Sequence, residues 1–198
     1  MSTADRRADL RDRLIALARV RIETQGTDAL KARDLARASD CSVGSIYNVF
    51  GDMHDLLVAV NGQTFLALGT HVTEAVARAG DTDPTARLIT MADAYLDFAT
   101  RNPRLWRALF DTQLTMQSPE APDWYIRTLD GLYEIIDAPL TDIFPDLPPE
   151  EIRLRTRALF SAIHGIVLLG IEQRVSGVGP DDMPEMIRFV LASVARGR

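Results

Sequence analysis

Four groups able to hydrogen-bond a base edge or a phosphate fall within the stretch from Ser42 to Asn48: the hydroxyls of Ser42 and Ser45, the phenol of Tyr47 and the carboxamide of Asn48. Such side chains meet base edges and phosphate oxygens when a short helix presents them to a groove. Val43 and Gly44 share that surface, and small residues near a helix start allow close approach. Other reactive residues are scattered. His54, His71 and His164 stand far apart, Cys41 is the single cysteine, and no clustered carboxylate–histidine set has metal-ligand spacing. A nucleophile elbow, a phosphate loop and a dinucleotide fingerprint are missing too, so no enzyme, metal or cofactor is expected. The loosest catalytic pairings, His164 with Glu172 or Asp93 with Asp97, lack a partner motif.

The elements that must position Ser42–Asn48 can be read from the surrounding residues. Leu10, Leu14, Leu17, Ala18, Arg21 and Ile22 repeat at helical spacing, and Gly26 follows as a stop. Two short helices are predicted at Lys31–Ser39 and Val43–Phe50, joined by the corner Asp40-Cys41-Ser42. Asp tolerates the left-handed conformation such a corner needs, although less readily than Gly. Leu35, Ala36, Ile46 and Phe50 should face inward, Ser42 should cap the second helix, and Cys41 reads as a small apolar plug. Two short helices across a tight corner form a helix-turn-helix, which can lay its second helix in the major groove. The same pairing also occurs in proteins that never touch DNA, where Tyr47 would be a half-buried core residue.

Beyond the corner, Asp52 can cap a long helix running to about Arg78. A break at Gly80 to Pro84 follows, then helices at about Pro84–Thr100, Pro103–Thr115, Pro122–Phe144, Pro149–Val175 and Asp181–Ala195. A further break is expected at Ser118-Pro119. No alternating strand pattern persists. The expected class is all-α, with a helix-turn-helix domain at 1–51 and a helical domain at 52–198, of which 52–79 is a connecting helix.

Charge is divided along the chain. The net charge is −6, yet residues 1–50 carry nine Lys and Arg against seven Asp and Glu, a local +2. Residues 51–198 carry thirteen against twenty-one, a local −8. Phosphate contacts supply most sequence-independent DNA affinity, so the basic end is the one suited to DNA and the acidic remainder should face away. The longest nearly uncharged stretch, Ala158 to Ile171, is shorter than the ~18–20 apolar residues of a membrane span. Ala4 to Arg13 mixes both charges with no apolar run after it, and one cysteine fits a reducing compartment, so a cytoplasmic protein with no membrane partner is expected.

The order of these features is specific. A first helix ending at a Gly, then Leu35-Ala36, then Ser42-x-Gly44-Ser45-Ile46-Tyr47-x-x-Phe50 and an apolar-rich long helix resembles the TetR family of transcriptional regulators over roughly Leu10 to Val60. The resemblance implies a homodimer reading a near-palindromic double-stranded operator, and it carries DNA contacts to Ser42, Val43, Gly44, Ser45, Tyr47 and Asn48. The chain departs from the family at three places. Met53-His54 stands where the family commonly has Lys-Glu, Asp40 where Gly is usual, and Lys31 where a capping Thr is common. Lys31 and His54 are the candidates for phosphate contacts in this variant. Asn102 to Trp106 and Ile163-His164-Gly165 also resemble a TetR-type carboxy-terminal domain named for a Trp-His-Gly motif.

For the second half two functions compete. A small-molecule effector of unknown identity would be held by side chains pairing an apolar body with a polar atom, with Tyr95, Trp106, Phe110, Trp124, Tyr125 and His164 as candidates. The same residues serve equally as core packing, and His164 as a satisfied core histidine or a pH-sensitive group. Leu159, Ile163, Ile166, Val167, Gly170 and Ile171 form one apolar stripe, and Met186, Phe189, Val190 and Val194 another. These would join two subunits through the last two helices, or bury against their own domain. The resulting expectation is a homodimeric DNA-binding regulator, a repressor released by a ligand. The alternative is a helical ligand-binding or interaction protein without sequence-specific DNA binding.

Overall fold

The computed structural model describes residues 2–80, 83–111 and 122–196. All regular structure among them is helical: α1 Thr3–Gln25, α2 Ala32–Ala38, α3 Val43–Val49, α4 Met53–Ala79, α5 Pro84–Arg101, α6 Pro103–Asp111, α7 Asp123–Ile143, α8 Pro149–Ile171 and α9 Met183–Arg196. The expected break at Ser118-Pro119 and the end of the helix expected to reach Thr115 lie outside the described residues. The starts and stops have local causes. Ser2 and Asp5 close a reciprocal cap on α1, and Gly26, at φ 86°, ends it with its N–H on the Ile22 carbonyl. Asp52 Oδ1 accepts from Asp55 N at 2.8 Å and starts α4.

The chain forms two compact units. One holds Met1–Leu66 and Asn102–Tyr125, so α1, α2, α3 and the first half of α4 pack with α6 and the beginning of α7. Its core is Leu14, Ile15, Ala18, Ile22, Leu35, Ile46, Phe50, Leu56, Val60, Leu105 and Ala108. α6 lies on α1, and Arg104 on α6 donates to the Glu23 and Thr24 carbonyls at 3.1 and 2.6 Å, covering acceptors that the end of α1 leaves open. α6 and part of α4 thus share the core of the helix-turn-helix.

The other unit, Ala67–Arg101 with Ile126–Arg198, packs α5, α8 and α9 together. Arg188 on α9 meets Asp93 on α5 at 2.7 Å. His71 and Arg101 both meet Asp97, at 3.0 and 2.8 Å. Asp93 and Asp97 therefore pair separately with other partners.

Two sequence expectations about α8 change. Its expected outward stripe is mostly turned inward, with Leu159, Ile163, Val167 and Gly170 buried in this unit. The exposed apolar face runs instead through Leu154, Ala158 and Ala162, with Phe189 on α9 61% exposed. Also, α8 is long and apolar enough by length and composition alone to cross a membrane, with a mean hydropathy of 1.4 in its most apolar window. The stretch counted from sequence stopped at Ala158, whereas the helix extends back past Arg157, Arg155 and Arg153. A helix with one face in its own core and a second apolar face beside it has the same composition.

Candidate nucleic-acid interface and aromatic clusters

The second short helix is fixed from three sides. Ser39 N bonds the Leu35 carbonyl, Cys41 N bonds the Ala36 carbonyl at 3.0 Å, and Asp40 between them takes φ 50°. That is the left-handed corner for which the family more often uses Gly, and Asp is among the few residues that adopt it at small cost. Ser42 Oγ accepts from Ser45 N at 3.0 Å and lies 2.8 Å from Ser45 Oγ, so both hydroxyls already serve the helix start. Ile46 and Phe50 are buried, while Ser42, Gly44, Tyr47 and Asn48 are exposed. Tyr47, 46% exposed, is a large ring left facing solvent.

Val43 departs from the outward placement expected of it, since it is half-buried against the core. The first residue of a seven-residue helix covers the turn behind it as much as the outer face. Cys41 packs partly against the same core, as an apolar plug would. Lys31 is exposed at the start of α2 and makes no side-chain cap, and His54 is half-buried in the first turn of α4.

One contributor was invisible in the sequence. Arg7 on α1 donates to the Asn48 carbonyl at 2.8 Å, placing a cation at the carboxy end of α3, and Arg11 lies over the Phe50 ring at 5.6 Å. Those residues are 41 positions apart in the first pair, and no local pattern joins them.

The six candidate effector residues divide between the units. Tyr95 and His164 lie in the α5–α8–α9 unit, where Tyr95 Oη and His164 Nδ1 are 2.8 Å apart. Phe160 stacks on the His164 ring at 5.6 Å, and Tyr133 meets Phe160 edge-on at 5.5 Å. Trp106, Phe110, Trp124 and Tyr125 belong to the other unit. Trp106 is 1% exposed and meets Phe110 edge-on at 5.3 Å, which makes it a core side chain first. Trp124 and Tyr125 meet at 5.7 Å, and Phe65 on α4 meets Tyr125 at 5.5 Å. Asn61, which sequence reading passed over, is fully buried on α4 and donates through Nδ2 to the Ala108 carbonyl at 2.8 Å. A lone carboxamide directly after the apolar run Leu57 to Val60 was the signal that could have marked it.

Burial holds the His164 pKa below its ordinary value near 6.5. The unfolded chain then takes up the proton first as pH falls. The stability tied to neutral His164 is intact above about pH 6.5 and is lost as pH drops through the lower folded-state value. Thermal midpoints measured from pH 8 to pH 5 should fall more steeply for the native chain than for His164→Gln. Parallel slopes would show that His164 contributes nothing to acid sensitivity.

Residues 14–60 match the family model described as bacterial regulatory proteins of the tetR family, and residues 88–194 match one described as the tetracyclin repressor-like carboxy-terminal domain. No curated protein matches the chain. Among solved structures, a protein described as of unknown function from Rhodococcus sp. RHA1 is 25% identical, covering 95% of this chain and 94% of its own, with a TM-score of 0.75. RolR in complex with resorcinol is 19% identical, covering 96% and 89%, with a TM-score of 0.70. A TetR-family transcriptional regulator from Streptomyces coelicolor is 22% identical, covering 96% and 98%, with a TM-score of 0.66.

Proposed function

The chain belongs to the TetR family of DNA-binding transcriptional regulators, and from that premise we propose that it works as a homodimeric, cytoplasmic repressor released from a double-stranded operator by a small-molecule effector. The observation that carries the reading is the two-faced α3. Ile46 and Phe50 lock one side into the core while Gly44, Tyr47 and Asn48 stand free on the other. Ser42, Val43, Ser45, Lys31 and His54 complete the surface offered to DNA. Residues 1–51 supply reading and 52–198 supply effector binding and pairing of subunits, with α4 connecting the two roles.

Dimerisation is assigned to the exposed apolar faces of α8 and α9, around Leu154, Ala158, Ala162 and Phe189. Two helices from each subunit can form a four-helix bundle about a two-fold axis. Such a pair reads half-sites about 34 Å apart on successive turns of B-DNA. The effector need only prefer a state in which the two α3 helices no longer match that spacing. α4 is the element suited to carry the change, being one unbroken helix whose first turns, at Met53 and Leu56, are packed on the helix-turn-helix core. RolR, of like fold, holds resorcinol in its crystals, which supports a small molecule as the effector here.

The test uses a duplex enriched from a random library by the native protein. Tyr47→Ala should bind that duplex about tenfold more weakly, a loss on the order of 1.4 kcal/mol. Sedimentation should still give a dimer. Unchanged affinity removes Tyr47 from the reading surface, and a native protein that enriches no duplex even at low salt removes the regulator reading with it.

A further inference from the structure

Asn61 is the one described side chain whose buried polar atom is left without a hydrogen-bond partner: its Oδ1 accepts nothing, while Nδ2 is held by the Ala108 carbonyl of α6. A buried carboxamide oxygen without a donor is unfavourable, and leucine would fill the position without that penalty. The neighbouring Thr64 hydroxyl cannot supply the donor, because it is turned back onto the Val60 carbonyl of its own helix.

The same turn of α4 is walled by rings. A Cβ added at Gly62 would collide with Trp124 Cζ3, so the indole of α7 lies directly on the α4 backbone. One turn beyond Asn61, Phe65 meets Tyr125. On α6, Ala108 sits between Trp106 and Phe110, and those two rings meet each other. Phe110 and Trp124 are each 38% exposed, so they are the rings a molecule arriving from solvent would touch first. The side chains named around this turn are aromatic rings and an uncharged carboxamide, whose unpartnered oxygen is buried.

We infer that Asn61 Oδ1 is the anchor for the effector, and that the effector class is a neutral, flat aromatic molecule carrying a hydroxyl donor. The inference rests on the small-molecule-regulator reading above. The chemistry of the residues sets each part of the class. The acceptor asks for a donor, the rings ask for a flat apolar body, and the burial of Asn61 disfavours an ionised group beside it.

Matched pairs that differ only in the donor test this on the full chain: phenol against toluene, 2-naphthol against 2-methylnaphthalene, and 4-phenylphenol against 4-methylbiphenyl. Binding is followed by quenching of tryptophan fluorescence. In at least one pair the hydroxyl compound should bind tenfold or more tighter than its methyl partner, since a site built around a buried acceptor discriminates against a ligand that leaves it unpaired. Asn61→Leu, verified as folded by its thermal midpoint, should erase that preference. Phe110→Ala should weaken both members of the pair alike and leave the preference in place.

The inference is overturned by any of three results: no hydroxyl compound binds saturably, both members bind equally (the outcome if Oδ1 merely holds a buried water), or Asn61→Leu keeps the preference. The native-protein comparison decides the matter even if Asn61→Leu does not fold. Operator binding, measured on the same preparations with the enriched duplex, fails separately. A chain that binds DNA but shows no hydroxyl preference remains a regulator with a different effector site, and one that shows the preference but releases no DNA keeps the site and loses the proposed coupling.

Discussion

Gly44→Asp should lower operator affinity by more than 100-fold and leave the fold unharmed. An added Cβ at Gly44 would meet only Ser42 Oγ, at 3.7 Å, an ordinary contact, and the residue is exposed in the first turn of α3. A carboxylate in a first helical turn is also on the favourable side of the helix dipole. The free protein should therefore melt within a degree or two of the native one. In the complex the same carboxylate would stand at the groove, among phosphates, where like charges brought together cost several kcal/mol. A 100-fold loss corresponds to about 2.7 kcal/mol, well inside that range. Anisotropy titrations of the enriched duplex measure it, with Gly44→Ala as a control for bulk alone. A change under threefold for the aspartate variant would mean that this face of α3 does not approach DNA.

The helices were legible in the sequence because their ends are chemically marked. Gly26 closes α1, Asp52 opens α4, and Pro84, Pro103 and Pro149 stand as first residues of their helices. The corner was legible for a different reason: only a few residue types accept the positive φ that Asp40 adopts. What periodicity could not decide was direction. α8 carries apolar or small residues on two neighbouring faces, one through Ile152, Leu159, Ile163 and Val167 and the other through Leu154, Ala158 and Ala162. Both repeat at helical spacing, so the inward one can be chosen only when α5 and α9 are in place.

The exposed face of α3 was mostly visible in the sequence, and the buried carboxamide on α4 was not. Tyr47 and Asn48 follow from knowing that Ile46 and Phe50 are buried, an inference confined to one short helix. Aromatic residues, by contrast, serve cores and pockets alike, and the four in the α6–α7 part of the chain differ only in what packs on them. Arg7 with Asn48, Arg104 with Glu23, and Asn61 with Ala108 are each joined across 41 to 81 positions. Such pairs depend on tertiary contact and leave no mark on local spacing.

Trp106 gives the sharpest separation of packing from binding, and Trp106→Ala should cost the protein about 3–5 kcal/mol of stability, the range for truncating a large buried ring. The side chain is 1% exposed, flanked by Leu105 and by Ala108 in the core that also contains Leu14, Ile15 and Ile46. Removing it would leave a void against the elements that hold α3 in position, so DNA binding should fail through unfolding and recover at low temperature or with a stabilising osmolyte. Trp124→Ala offers the contrast. That ring is 38% exposed and rests on Gly62, and its loss should remove only about 1 kcal/mol. Urea unfolding followed by circular dichroism measures both. If the two variants lost equal stability, or Trp106→Ala lost less than about 1 kcal/mol, the indole would not be supporting the core, and Trp106 would return to the set of surfaces open to a ligand.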